Sequence, residues 1–385
     1  MLGINTPMSV VKATITPDAD RAYAIFWYVE AGQTSGGSGS TDFHDFQLSI
    51  SGLPNVQLVH ARGRNNAALF DWPTHSGVWV LPASSTPTPT VIEMVGRCNT
   101  AARPQGARNG RLVIVRLEAN DLYALEPSRL EASTAPYTGV SIATTPPGAG
   151  SYIGIGSVAL DATTNVIPNP TFLSTTTEVA QAFTPAIGQT INRANDSTFF
   201  IDSMFFGRVA ASASQTIYLR VNNAGGGNTA WGRSHCMVLL WEPDLGAATL
   251  TEDRDGFFIT VGASYQEMYS AVVPAPAQSR LLLASHQSGS SSAAGEIFSR
   301  FLSDGSVTHR ALIRTFSTLS TRGYTSTYVG FERDVQANRS YKIETSRPNA
   351  SGTVATTFRQ ILALDFNANV VGVNTGRARR FTGFF

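Results

Sequence analysis

The sequence predicts an all-β protein built as three tandem β-sandwich repeats, jelly-roll-like and about 125 residues each. Three observations predict it. A strand signature recurs three times at nearly one period. Polar and apolar residues alternate inside the recurring segments. No stretch carries a sustained helical period with a cap.

The period is visible at several anchors. Val113 to Asn120, Val238 to Asp244 and Leu362 to Asn369 share an apolar run ending in acidic and amide residues. Matching Leu117, Trp241 and Phe366 gives offsets of 124 and 125. Upstream, Ile92, Ile217 and Tyr341 sit in similar strands at offsets of 125 and 124. Short apolar strands precede these at Val78 to Leu81, Met204 to Phe206 and Tyr328 to Phe331. Pro17, Pro146 and Pro274 open the units at offsets of 129 and 128, so loop length varies slightly between copies. Self-similarity at one period is the signature of a repeat architecture.

Within a unit, Thr216 to Val221 alternates so that Ile217, Leu219 and Val221 share one face, and Ser340 to Thr345 does the same with Tyr341 and Ile343. Gly- and Asn-rich stretches at 96–111, 222–233 and 346–358 read as loops joining the last two strands of each unit into a long-tipped hairpin. The nearest helix candidate, Asp121 to Ala132, is interrupted by Pro127. Boundaries are expected after 132 and 250, giving repeats over 1–132, 133–250 and 251–385, the last with a C-terminal docking tail. Residues 32–41 and 288–295 read as exposed flexible loops at equivalent places.

Composition narrows the function. Charged residues make up 14% of the chain, against roughly 25% in ordinary soluble proteins, and Ser, Thr, Asn, Gln, Gly and Ala take their place. Such a surface suits stacking against protein neighbours, though any Thr/Ser-rich β protein shares it. A net charge of +1 favours neither nucleic acid nor an anionic membrane. No secretory leader is read at the N-terminus, and no apolar run near it is long enough to span a bilayer. Cys98 and Cys236 lie in different repeats, outside any metal spacing, and are read as two free thiols, with one disulfide across 138 positions as the alternative.

Chemical motifs are sparse. The six histidines lack zinc spacing, and neither a nucleophile elbow nor a phosphate loop is present, so no catalytic residue, metal or cofactor is expected. Asp253 to Gly256 has part of a calcium loop, and Asp18 and Asp20 could share a cation in a turn. The candidate binding residues are Asp42, His44 and Asp45, where a histidine stands beside two carboxylates, together with Trp72 and Trp231 near loop ends. Each has a plain structural reading: a solvated loop face for the first group, aromatics folded over a sandwich end for the second. Trp27, Trp79 and Trp241 lie inside apolar strands and are read as core.

The chain resembles virion structural proteins of tailed bacteriophages, of the tail-tip, fibre or capsid-decoration kind. The features that carry the likeness are tandem sandwiches, few charges, Gly/Ser/Thr/Asn-rich loops and the tail Arg377 to Phe385. It is a likeness of style, without a diagnostic motif, so no family site residue is transferred. It implies a non-enzymatic protein located in the virion, with other virion proteins and further copies of itself as partners. A module binding a host surface glycan or receptor is the alternative. In the tail, Phe381, Phe384 and Phe385 would be costly to leave in water, so the tail is expected to dock on its own unit or a neighbour.

Overall fold

Alternation of side chains, rather than backbone propensity alone, explains where the strands lie. In Gln266–Val273 the burial of every second or third residue marks one wet and one dry face. By contrast Thr74–Leu81 is buried almost throughout, as expected of a strand packed on both faces. The computed structural model describes residues 7–33, 43–62, 74–98, 105–132, 137–162, 168–174, 200–211, 214–223, 230–253, 257–261, 263–275, 277–290, 295–315, 323–346, 352–366, 370–375 and 379–380.

The described strands fall into three successions. The first comprises β1 (Met8–Ile15), β2 (Tyr23–Gln33), β3 (Phe43–Ile50), β4 (Val56–Arg62), β5 (Thr74–Leu81), β6 (Thr90–Cys98) and β7 (Gln105–Arg116). Then come β8 (Leu122–Glu126), β9 (Leu130–Ala132), β10 (Tyr137–Thr144), β11 (Gly150–Ala162), β12 (Pro168–Ser174), β13 (Phe200–Ala211), β14 (Gln215–Asn223) and β15 (Ala230–Trp241). After a single 3-10 turn at Glu242–Asp244 follow β16 (Ala247–Asp253), β17 (Phe257–Val261), β18 (Gln266–Val273), β19 (Ala277–Ser290), β20 (Gly295–Ser303), β21 (Ser306–Thr315), β22 (Gly323–Val335), β23 (Arg339–Ser346) and β24 (Gly352–Phe366). β25 (Val370–Thr375) and β26 (Arg379–Arg380) come last.

These strands form antiparallel sheets in three pairs with matching order. The outer sheets run β1-β6-β3-β4, β10-β14-β12 and β18-β23-β20-β21. The inner sheets run β25-β7-β2-β5, β8-β15-β11-β13 and β16-β24-β19-β22, with β26, β9 and β17 also laid on β7, β15 and β24. A counterpart of β4 in the middle pair would fall outside the described residues.

Register irregularities repeat as well. The first outer strand of each pair bulges at Val10, Gly139 and Met268, each 129 positions after the last. The last inner strand bulges near Asn109 and Ser234, both at positive φ (52° and 53°), and near Thr357 in the third pair. A bulge of this kind uses a left-handed residue to bend and twist the strand locally.

The strand pairing differs from the sequence expectation in two ways. First, β6 and β7 lie in different sheets, as do β14 with β15 and β23 with β24. The Gly- and Asn-rich segments are therefore crossings between sheets, not tips of hairpins. They are also shorter than expected, because the strands run into them: β7 begins at Gln105, β15 at Ala230 and β24 at Gly352. Second, equivalent residues of β7, β15 and β24 are Arg116, Trp241 and Asp365, which face Tyr23, Tyr152 and Arg280 on the neighbouring strand. Matching Leu117 and Phe366 to Trp241 slips the alignment by one, and a one-residue slip moves side chains to the opposite face.

Pairing also crosses the expected boundaries. β8 and β9, within 1–132, complete the sheet of β15. β16 straddles position 250 and completes the sheet of β24. β25 and β26 follow β24 yet lie on β7, far upstream. Residues 370–375 and 379–380 thus lie on the first sheet pair. Phe381, Phe384 and Phe385 themselves lie outside the described residues.

Apolar side chains of all three pairs merge into one core. Phe26, Val78 and Val113, Ile155, Phe206 and Val238, and Leu283, Val329 and Leu362 belong to it. A separate cluster fills the middle pair, from Val140 and Ile217 to Phe205 and Trp241.

Deleting residues 370–385 should leave β7 an unpaired edge. Hydrogen exchange in residues 105–116 is then expected to quicken at least about tenfold, while β15 and β24 keep their protection. Amide exchange read by mass spectrometry checks this, and uniform protection of all three strands would contradict it.

Candidate functional site at the shared core

Of the residues singled out from sequence, the described ones lie on two strands, His44 and Asp45 on β3 and Trp231 on β15. Asp42 and Trp72 lie outside the described residues. His44 and Asp45 are not in a loop but in β3, with backbone partners Ala61 and Cys98 for His44. Asp45 is buried and bound to the Arg97 guanidinium at 2.9 Å. Trp231 sits in β15 opposite Glu131 and Asp161, a strand position rather than a loop end. In each case strands extend further than the polar composition suggested. Asp253 pairs with Arg359 and Asp18 with Arg116, which accounts for two of the carboxylates considered for cations. Among the described residues no group of three or more His, Cys, Asp or Glu is placed to hold a metal ion. Trp27, Trp79 and Trp241 are core, as read from sequence. Cys236 is a free, buried thiol whose pKa burial pushes well up.

The chemistry that the structure does gather lies where the sheet pairs meet and inside the third pair. Between the first and third pairs, Ser76 and Thr327 share a hydrogen bond across buried strands. Beside them the Arg111 guanidinium donates to the Tyr328 hydroxyl and the Val329 carbonyl, and lies 5.0 Å from the centre of the Tyr328 ring. Tyr28 packs edge-on to Tyr328, with centroids 5.8 Å apart. The fully buried Glu30 accepts from the Tyr28 hydroxyl at 3.1 Å and from the Asn109 amide at 2.8 Å. Burial, then the Glu30 charge, pushes the Tyr28 phenol well up, so it stays protonated as a donor. Asn109 reaches Glu30 because the bulge carries it at positive φ. The other contacts are lighter. Ser157 of the middle pair donates to the Val78 carbonyl, and Gln360 of the third donates to the Phe206 carbonyl, both at 3.3 Å.

A second polar group lies inside the third pair. Arg280, fully buried, holds Asp365 with two nitrogens at 2.6 and 2.9 Å and also donates to the Tyr341 hydroxyl and the Pro274 carbonyl. Tyr341 in turn donates to Glu332 at 2.7 Å, which also accepts from Ser303. The equivalent place in the middle pair is filled by Tyr152 against Trp241, centroids 4.8 Å apart. One fold position thus accepts either an aromatic pair or a buried ion pair.

The third group is the link from the first pair to the second. Asp121, between β7 and β8, accepts the Glu118 and Trp241 backbone N–H groups at 2.8 and 2.7 Å. Burial pushes its pKa up to about 6. His235 has a ring nitrogen 3.3 Å from the Glu126 carbonyl, and burial pushes its pKa down to about 4. Nothing in these three groups pairs a nucleophile with a base facing solvent. Each joins one strand or sheet to another. A gap beside His286, Ser299 and Tyr328 has about 10 Å³ of space, room for one water at most.

Two tests follow from this geometry. Arg280→Met leaves Asp365 buried without its partner and should cost about 3–5 kcal/mol in urea unfolding. Replacing both residues instead, Arg280→Tyr with Asp365→Trp to copy the middle pair, should recover more than half of that loss. The link should show opposed pH slopes. Between about pH 4 and 6 folded Asp121 holds a proton that the unfolded chain releases, so its contribution to stability falls as pH rises. Over about pH 4 to 6.5 unfolded His235 holds a proton that the folded one lacks, so its contribution rises with pH. Asp121→Asn should therefore uncover a rise, and His235→Asn a fall, of about 2–3 kcal/mol across the window. Urea midpoints from pH 4 to 7 measure both.

No protein-family model matches the sequence, and no curated protein matches it. Solved structures give distant likenesses. N-glycanase F is 7% identical, covers 67% of this chain and 99% of its own, and superposes with a TM-score of 0.31. The infectious bursal disease virus Gx strain structure is 12% identical over 95% of this chain and 78% of its own, at 0.24. An archaeal virus protein with a triple jelly roll fold and turret assembly is 10% identical over 92% of this chain and 82% of its own, at 0.20. These likenesses are too remote to carry function, and the chain is an all-β protein of paired antiparallel sheets.

Proposed function

We propose that this chain is a non-enzymatic virion structural protein of a tailed phage, a tail-tip, fibre or capsid-surface component built as three copies of one β-sandwich unit joined in a ring. The single observation that supports it is the cyclic strand donation. The first pair gives β8 and β9 to the second, the second gives β16 and β17 to the third, and the third gives β25 and β26 back to the first. A body closed this way presents related outer sheets to its surroundings and suits repetitive packing with neighbours. Other virion proteins and further copies of the chain are the partners.

The test is location. Tailed particles purified from cells carrying the gene should contain the chain in multiple copies by mass spectrometry, and antibody should label one site on the particle. Complete particles lacking the chain would overturn the structural role. Release of sugars from host surface polysaccharide by the purified chain would overturn its non-enzymatic part.

A further inference from the structure

The three pairs share a fold but not an interior. One level of the sandwich can be compared directly. The registers place Val29, Val158 and His286 at one inner-sheet position, and Gly96, Val221 and Thr345 at one outer-sheet position. In the first pair Val29 closes this level together with Phe46, which faces Gly96. In the second Val158 and Val221 close it. In the third the same level holds His286 beside Ser326 on the inner sheet and Thr345 beside Ser299 on the outer sheet, all four buried. The His286 Nε2 atom lies 2.8 Å from the Ser299 hydroxyl. The Thr345 hydroxyl is buried and has no hydrogen-bond partner. Taking a hydroxyl out of water without a new bond costs free energy, so a buried one is normally satisfied by protein or by an ordered water.

We propose that the gap beside these side chains is a binding site for one buried water, which joins the Thr345 and Ser299 hydroxyls of the outer sheet to the Ser326 hydroxyl of the inner sheet. The gap has about 10 Å³ of space, the size of a single water. Its walls include His286, Ser299, Ser326 and Ile343. Thr345 belongs beside it because it lies two residues from Ile343 on the same face of β23 and directly opposite Ser299 on β20. Three hydroxyls supply the two to four polar partners that hold a water inside a protein. Ser299 can serve both neighbours, since a hydroxyl has one donor and two acceptor positions and His286 takes one of them. Arg300, also in the wall, is bound to Glu344 at 2.6 Å, so its charge is already balanced and does not call for an anion. The water thus does for the third pair what Val29 with Phe46 and Val158 with Val221 do for the others. It fills the level and ties one sheet to the other. The inference does not rest on the virion reading, because it concerns the interior of one sheet pair.

The first arm of the test uses the unaltered full chain. A crystal structure at a resolution that shows ordered waters should place one peak within hydrogen-bond distance of the Thr345, Ser299 and Ser326 hydroxyls. An empty gap, or a Thr345 hydroxyl bonded directly to protein, overturns the site. So does an anomalous peak there from crystals soaked in sodium bromide, which would assign the gap to an anion. The second arm uses Thr345→Val and Ser326→Ala, which remove hydroxyls from opposite sheets. These hydroxyls share no direct bond, because the Thr345 hydroxyl has none. A shared water therefore predicts coupling: the unfolding constant of the double variant should differ at least about threefold from the product of the single effects. A smaller departure overturns the bridge even where a water is seen. Should a variant fail to fold, the crystal arm decides alone. Neither arm bears on whether the chain is found in particles, so the two readings fail separately.

Discussion

A β-strand buried in the middle of a protein cannot leave one of its edges bare. Unpaired N–H and C=O groups held away from water cost free energy comparable to lost hydrogen bonds. In this chain β7, β15 and β24 are the strands that face this constraint, because each carries fully buried residues such as Val113, Val238 and Leu362 beside an edge that the strands β1–β6, β10–β14 and β18–β23 respectively do not cover. The edge is covered each time by the strands that follow the previous succession. No sheet pair is therefore complete by itself, and the shared core is the result: side chains of the inner sheets pack against those of the other pairs because the donated strands draw them together. Stability in such an arrangement rests on neighbour interfaces as much as on the interior of any one pair.

The sequence showed the strand content, and lost detail where strand and face had to be known together. Ile92, Ile217 and Tyr341 were matched correctly, since their strands alternate and each faces Ala13, Ile142 or Ala271 at the same step. The last strands were matched one residue off, because continuous apolar runs such as Val113 to Val115 hold no alternation to mark a face. Similar chemistry then drew Leu117 and Phe366 toward Trp241, although the residues that occupy its place are Arg116 and Asp365. Donation was hidden for a different reason. β8, β16 and β25 are short and of ordinary composition, and their partner is chosen by the edge left open in space, which no local pattern records. Among the candidate binding residues, His44 and Asp45 were read as loop because Gly and Ser crowd the positions before them, yet pairing with β4 and β6 continues through both.

Charge is scarce, but part of it is placed inside. Glu30, Arg280, Arg359 and Asp365 are all buried, so low composition does not translate simply into a neutral surface with a dry interior. Buried ion pairs add little net stability over apolar replacements. Their effect is on selection among arrangements. Glu30, opposite the bulge of β7, accepts from Asn109 only in the register where Asn109 takes positive φ. Arg280 meets Asp365 only when β19 and β24 are aligned as they are, since a slip of one residue turns the two side chains to opposite faces.

Selection matters more in a chain of similar units than in one of unrelated domains, because related strands can dock on the wrong sheet during folding. The first bulge of each pair shows how divergence opposes this. In the first pair Val10 lies against Gly110, where an added Cβ would come within 2.7 Å of the valine methyl. In the second the sizes are reversed, with His235 of β15 lying against Gly139 of β10. The third pair has Met268 and Arg359 at these places. Each of the first two couples fits itself. Docking β10 against β7 would set glycine on glycine and leave a void, whereas β1 against β15 would set valine on histidine and overlap. Voids and overpacking each cost on the order of 1–3 kcal/mol or more. The contact that conserves backbone geometry across the three pairs is therefore also the contact that distinguishes them, and the donated strands inherit that distinction because they lie on sheets already assigned to their own partners.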